Sequence, residues 1–316
     1  MKILIVGSGV VGGMLGARLV EKKCDVTFVV RPERKAQLLT TGLVLYSHFG
    51  KFRRPVAAIT PDELLGTYDL ILLTCRAHEY DVAFAMIAPS IGLDTTVLPL
   101  VEGANHLQAE LFPHGGHFIG GMLEARMTIN ADGTLHQRLP AAELHIGATK
   151  PYEAERAAHV ALLLEGRGIR AIPTDRIIST IWERYCFTAA AVLTNVTSGM
   201  SLRDAVRPTH NITWFDRLLS EGVAVGQAIG LRPCPERVLQ YRNSYRMETR
   251  PVQPPALVAD ANRGSDEAAY LLLEMVAIAD QDRVPVPRLR VARDTLIRQR
   301  NIEGTLTAAA YSTETA

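Results

Sequence analysis

The sequence predicts a parallel α/β unit followed by an all-helical unit, and three observations carry that reading. A short apolar run at 2–6 leads at once into a glycine-rich turn and then into apolar residues at helical spacing. Strand-like apolar runs recur as far as residue 173. Beyond residue 175 only helical periodicity continues. The division therefore falls at 175/176, with an α/β domain over 1–175 and a helical domain over 176–316.

The first thirty-one residues organise the rest. Lys2-Ile3-Leu4-Ile5-Val6 reads as a buried parallel strand. Gly7, Ser8, Gly9, Val10, Val11 and Gly12 follow, and Met14-Leu15 through Leu19-Val20 begin a helix. Asp25 to Val30 closes a strand–turn–helix–strand unit of about thirty residues, the length of a dinucleotide-binding unit. Gly7 permits the tight turn, Gly9 lets backbone approach a pyrophosphate, and Gly12 brings helix against strand. The helix start adds free N–H groups and the positive end of its dipole. A glycine turn without a ligand explains this context poorly, so the expected fold is an α/β Rossmann-type dinucleotide-binding domain followed by an all-α C-terminal domain.

The end of the second strand chooses between cofactors. NAD enzymes usually place an acidic residue there for the ribose 2′-hydroxyl. Here Val30 stands at that position, followed by Arg31, Pro32, Glu33 and Arg34. Arg31 and Arg34 suit a 2′-phosphate through charge-assisted, bidentate contacts, with Glu33 turned to solvent. NADP is expected over NAD. The competing reading of the two arginines is a solvated loop.

Leu43-Val44-Leu45 and Pro55 to Ala58 read as strands that extend the sheet or form a small excursion. Tyr68 to Thr74 is a strong buried strand ending at Cys75-Arg76, so Arg76 lies where ligands of open α/β sheets gather, unless it is an ordinary loop cation. A helix over 80–87 leads to a strand over 95–100, whose end carries Glu102, Gly103, Asn105 and His106. Glycine there predicts close backbone approach, with Glu102 facing the cofactor crevice. Short strands at 118–121, 125–129 and 143–147 surround an Asn130-Ala131-Asp132-Gly133 hairpin turn. His114-Gly115-Gly116-His117 lacks further ligands at metal spacing and reads as a loop. A helix over 153–167 and a strand over 168–173 end the α/β part. Helices are expected at 176–196, 201–206, 211–229, 235–248, 265–281 and 287–300, and the tail from 303 lacks a core face. Arg242, Arg246 and Arg250 share one helical face, read as solvated rather than as an anion site.

Composition narrows the function classes. A net charge of +1 over 316 residues gives no field for nucleic acid or an anionic membrane. No apolar run is long enough to span a bilayer. The chain starts directly in a strand, without the pattern of a targeting peptide. Cys24, Cys75, Cys186 and Cys234 are widely spaced and read as free thiols, so a cytoplasmic setting is expected.

Gly7 to Gly12, Val30-Arg31, Leu100-Val101-Glu102-Gly103, Gly120-Gly121, Asp132-Gly133, Ile181-Trp182-Glu183-Arg184-Tyr185, Ser265-Asp266-Glu267 and Val284-Pro285-Val286-Pro287 follow one another in an order and spacing that resembles the ketopantoate reductase (2-dehydropantoate 2-reductase) family. The resemblance spans nearly the whole chain. It implies reduction of a 2-keto acid to a D-2-hydroxy acid by hydride transfer from NADPH, as in pantothenate biosynthesis, in a homodimer formed through the helical domain. It also implies a catalytic lysine two residues after the helix tryptophan, and that position is Arg184. The family's cofactor-side asparagine becomes Glu102, two further asparagines become Thr188 and Val192, and the substrate serine becomes Pro255. Glu267 keeps the family's glutamate, and Arg76 stands for the lysine after the third strand.

These exchanges alter the chemistry. Arginine stabilises a developing alkoxide but is a poor proton donor, which shifts proton delivery to water, Tyr185 or His106. Glu102 has the charge to pair with Arg184. The exchanges argue against ketopantoate itself. Three readings follow: a reductase of a small 2-keto acid using Arg184, Glu267 and Glu102; a reductase of another carbonyl or an imine; or a non-catalytic NADP(H) sensor.

Overall fold

The computed structural model describes residues 1–104, 115–200, 202–206, 213–246 and 267–300. They form two compact units. Met1–Val101 belongs with the described residues up to Ile178, and Glu102–Ala104 belongs with the described residues from Ser179 onward.

In the first unit, β1 (Lys2–Val6) leads through the glycine turn into α1 (Val10–Glu21), then β2 (Asp25–Val29) and α2 (Pro32–Thr41). A hairpin of β3 (Leu43–Ser47) and β4 (Gly50–Arg54) precedes β5 (Ala57–Ile59), β6 (Leu70–Leu73), α3 (Tyr80–Ile87) and β7 (Thr96–Pro99). Then come β8 (His117–Glu124), β9 (Met127–Ile129), β10 (Leu135–Gln137), β11 (Ala142–Ala148), α4 (Ala154–Leu164) and β12 (Ile169–Pro173). The main sheet has the order β12-β11-β8-β7-β6-β1-β2-β5, and β4-β3-β10-β9 forms a second, smaller sheet. All pairings in the main sheet are parallel except β8 with β11.

β1 lies between β2 and β6, with Val6 opposite Val29 on one side and Leu73 on the other. The strand order reverses here, which makes the carboxyl end of β1 the ligand crevice of such a sheet. Period-two alternation divides β1 between two cores. Ile3 and Ile5 pack with Met14, Leu15 and Leu19 of α1, while Leu4 and Val6 pack with Tyr80, Phe84 and Ile87 of α3. A strand covered by helices on both faces reads as continuously apolar for this reason.

Three elements escaped the sequence reading: α2, β4 and β10. The supposed loop at Arg31–Arg34 is the start of α2, with Arg31 as its N-cap, Pro32 in its first turn and Glu33 exposed. That helix buries only Leu38, so it carries no amphipathic stripe. β4 likewise turns only Phe52 inward. The helix expected to reach residue 167 stops at Leu164, because Gly166 (φ +153°) and Gly168 (φ +76°) turn the chain back into β12.

The second unit is built on α5 (Ile177–Ser198), most of which lies within it. Trp182, Tyr185, Phe187 and Ala190 to Leu193 are all buried, so the helix is surrounded on every side. Around it are α6 (Leu202–Ala205), α7 (Trp214–Ala228), α8 (Pro235–Arg246), α9 (Glu267–Gln281) and α10 (Pro287–Arg300). Thr213 and Asp216 form the capping box that starts α7. Other helix starts take carboxylates from distant helices. Glu221 of α7 accepts from the Arg288 and Leu289 N–H groups at the start of α10, the latter at 2.9 Å. Glu183 of α5 accepts from Cys234 N at 2.6 Å, just before α8.

Arg242 pairs with Asp216 at 2.6 Å and also donates to the Val206 carbonyl, so it secures the bundle rather than lining a solvated face. The Arg246 side chain and Arg250 lie outside the described residues.

The seam between α5 and α7 depends on small residues. Trp182 Nε1 donates to the Gly222 carbonyl at 3.0 Å, and a Cβ on Gly226 would sit 2.2 Å from that nitrogen. Gly226→Ala should therefore cost about 1–3 kcal/mol by overpacking. The expected readout is a lowered thermal midpoint, followed by tryptophan fluorescence; an unchanged midpoint would show that the seam yields.

Candidate active site

The glycine turn places each residue where the G-x-G-x-x-G reading needs it. Gly7 has φ +94°, a conformation that favours glycine, and its N–H donates to the Val29 carbonyl at 2.9 Å. A Cβ on Gly12 would lie 2.2 Å from the Gly7 carbonyl oxygen and 2.4 Å from Thr74 Oγ1, so Gly12 lets α1 close on the strands. Thr74 Oγ1 donates to the Val6 carbonyl at 2.7 Å and ties the ends of β6 and β1 together. At Gly9, the N-cap of α1, an added Cβ would meet nothing within 4 Å among the described residues. Gly9 thus leaves open space at the helix start, while Gly12 is glycine for the fold. Val10 and Val11 open the helix and pack partly against the core. The first-turn N–H groups lack intrahelical acceptors and, with the dipole, suit a pyrophosphate. These residues fit a dinucleotide.

Arg31 and Arg34 part company in the structure. Arg34 folds back on the turn: its Nε donates to Ser8 Oγ at 2.8 Å and its Nη2 to the Ser8 and Gly133 carbonyls. Burial lowers the pKa of its guanidinium from the ordinary value, and the Asp132 carboxylate opposes that shift. Ser8 is buried beneath it. The Asn130 to Gly133 segment is a turn as expected, with Gly133 N donating to the Asn130 carbonyl at 2.9 Å. The Arg31 side chain is 80% exposed and pairs with Glu79. Arg76 caps the short turn Ala77–Glu79, and its N–H donates to Glu79 Oε2 at 3.3 Å. Glu79 thus touches both cationic positions singled out in the sequence.

In the helical unit, Arg184 is 6% exposed. Its guanidinium carbon lies 5.7 Å from the Phe187 ring centre and 5.5 Å from that of Tyr241, and Nε is 3.8 Å from Glu102 Oε1. The aromatic faces and the carboxylate compensate a cation removed from water. Thr188, one turn further along α5, is fully buried, and its hydroxyl finds no hydrogen-bond partner among the described residues. Val192, another turn on, is buried and apolar.

Gly103 (φ +106°) makes a close approach, but to protein: an added Cβ would lie 2.6 Å from Leu271 and 2.8 Å from Glu274. Ala104 N donates to Glu274 Oε2 at 2.8 Å. Glu267 is buried as the first residue of α9.

Tyr185 does not suit the proton donor's part. It is fully buried, donates to the Leu271 carbonyl, and burial followed by the Glu274 charge raises its pKa well above the ordinary phenol value. His106, His114 and Pro255 lie outside the described residues, and His117 Nδ1 is 2.8 Å from Glu153 Oε1. Glu79, Glu274, Phe187 and Tyr241 were missed in the sequence. Glu79 alone had a signal, three residues beyond Arg76 at a strand end.

The glycine turn at the start of α1 fits the cofactor of a nicotinamide-dependent oxidoreductase. The chain belongs to the ketopantoate reductase PanE/ApbA family, whose sequence patterns match residues 3–151 and, for the C-terminal part, 176–298. It is 30% identical over 192 residues to the Bacillus subtilis (strain 168) oxidoreductase YkpB, a match spanning 60% of this chain and 63% of that protein. It is 27% identical over 260 residues to the 2-dehydropantoate 2-reductase of Mesorhizobium japonicum, spanning 73% and 78% of the two chains. Among solved structures it resembles D-mandelate dehydrogenase bound to NADH and anilino(oxo)acetate, with TM-score 0.84, 17% identity and 95% and 98% coverage. A PanE/ApbA family ketopantoate reductase from Ralstonia eutropha JMP134 gives 0.82, 21%, 95% and 99%.

The two glycines provide a paired test. Gly9→Val should abolish dinucleotide binding in calorimetry while leaving the thermal midpoint unchanged, since its side chain enters open space. Gly12→Val should lower the midpoint itself. Retained binding by Gly9→Val would place the dinucleotide elsewhere.

Proposed function

We propose that this oxidoreductase reduces the carbonyl of a small 2-keto acid with NADPH, giving the 2-hydroxy acid and NADP. The observation that carries the reading is Arg184, a buried cation packed on two aromatic rings and one helical turn before the Thr188 hydroxyl, which has no hydrogen-bond partner among the described residues. The bound cofactor supplies the hydride. Arg184 holds the carbonyl oxygen and stabilises the negative charge that grows there, a task suited to a fixed, always protonated guanidinium. Thr188 offers its hydroxyl to the substrate. Glu102 keeps Arg184 compensated when substrate is absent, and Glu267 orients a substrate hydroxyl or carboxylate. The alkoxide takes its proton from water, since Arg184 does not give one up and Tyr185 is bound to a backbone carbonyl. The exposed guanidinium of Arg31 is the group offered to the 2′-phosphate of NADPH.

A second reading has an observation of its own. Glu102 brings a negative charge to within 3.8 Å of Arg184, which weakens the attraction of Arg184 for an anionic acid. A neutral carbonyl or a protonated imine suits such a site better. NADPH oxidation measured against a panel of 2-keto acids, neutral ketones and imines separates the two: turnover confined to keto acids supports the first reading, and turnover confined to the others overturns it.

Tyr185→Phe should keep turnover within about threefold, because loss of a true general acid typically costs about a hundredfold or more. A loss of that larger size would reinstate Tyr185 as the donor. Arg184→Met and Glu102→Gln should be strongly non-additive, since either change alone leaves the other charge without its partner while the double removes both, a coupling of about 0.5–3 kcal/mol. Each single change should therefore be worse in stability than the double. Ketopantoate turnover by a second double variant, Arg184→Lys with Glu102→Asn, should exceed that of the wild type only if the native substrate is ketopantoate. Strictly additive effects would remove the pairing from the mechanism.

A further inference from the structure

We propose that Glu79 sets cofactor specificity, weakening the hold of Arg31 on a 2′-phosphate so that NADH is accepted alongside NADPH. The proposal rests on the reading that a nicotinamide dinucleotide lies on the glycine turn, and it refines the choice of cofactor there.

The carboxylate that reads a ribose 2′-hydroxyl normally stands at the end of the second strand. In this chain that place is Val30, which is buried and apolar. A carboxylate is nevertheless present beside the next residue, and it comes from another strand end. Glu79 closes the turn after β6, with Oε2 accepting from Arg76 N at 3.3 Å and Oε1 paired with the guanidinium of Arg31. The pair is partly exposed, Arg31 at 80% and Glu79 at 32%, so both groups are open to a ligand.

Arg34 does not replace Arg31 as a phosphate clamp of equal freedom. Its Nε and Nη2 are engaged with Ser8 and Gly133, and its Nη1 with Gln37. The choice between cofactors therefore falls on Arg31, and Arg31 carries its own counter-charge. A 2′-phosphate, with nearly two negative charges, gains the guanidinium but meets the Glu79 carboxylate beside it. A ribose 2′-hydroxyl has the opposite balance, because it can donate to Glu79. The same carboxylate thus penalises one cofactor and supports the other.

The test is calorimetric titration of wild type, Glu79→Gln, Arg31→Ala and the double variant with NADPH and with NADH. Glutamine keeps an acceptor for Arg76 N and removes the charge. Wild type should bind the two cofactors within about tenfold of each other. Glu79→Gln should tighten NADPH by about tenfold and weaken NADH by about threefold, the scale of one charged contact at a partly exposed site. Arg31→Ala should cost NADPH more in the Glu79→Gln background than in the wild type, since the arginine is then free of its counter-charge. An unchanged NADPH-to-NADH ratio in Glu79→Gln, or a wild-type preference for NADPH above about a hundredfold, would overturn the role of Glu79 and leave the dinucleotide reading intact. A wild type that binds neither cofactor would overturn both.

Discussion

The α/β unit depends on how closely α1 approaches the ends of β1 and β6. Two backbone segments and a threonine hydroxyl meet at Gly12, at separations no side chain tolerates. That closeness fixes where the helix begins and aims its unpaired N–H groups. It also fixes the alternation of β1, whose odd residues enter one core and whose even residues enter the other. Gly16 repeats the demand one turn later, where an added Cβ would fall 2.1 Å from Phe28. The turn is therefore rigid by construction, and a ligand on it meets a surface already formed.

The helical unit solves a different problem. α7 starts on its own capping box, but at the starts of α8 and α10 carboxylates from other helices take over. Glu221 satisfies the start of α10 and Glu183 the residue before α8, while Glu274 receives the Ala104 N–H. Glu183 and Glu221 are buried, so each is stabilised by the N–H groups it satisfies. Arg184 sits within this acidic framework. Its charge is compensated by Glu102 and by two ring faces.

Most of the fold was legible in the sequence because strong periodicity and glycine spacing are local signals. The buried strands and α5 follow from apolar pattern alone, and the roles of Gly7, Gly9 and Gly12 from their spacing. α2 and β4 were not legible, since each buries a single side chain and has no stripe to read. The candidate site was legible only in part. Arg184 and Glu102 came from a family alignment, and their approach to 3.8 Å is a fact of tertiary packing. Glu79 and Glu274 were invisible because a carboxylate gains its meaning from a partner 48 or 170 residues away. The contrast between Arg31 and Arg34 was hidden for the same reason, as nothing local tells which arginine folds back on Ser8.

The placement of the aromatic residues has an optical consequence. The chain has two tryptophans, Trp182 and Trp214, and both belong to the helical unit. Trp182 is wholly buried with its indole N–H bonded to a backbone carbonyl, an environment that water would disrupt on unfolding. Intrinsic indole emission is therefore a private signal of the helices, and the nucleotide-binding sheet is silent at that wavelength. Backbone circular dichroism, which samples both units, supplies the missing half. Comparing the two signals along one denaturation separates the melting of the bundle from that of the sheet without any added label.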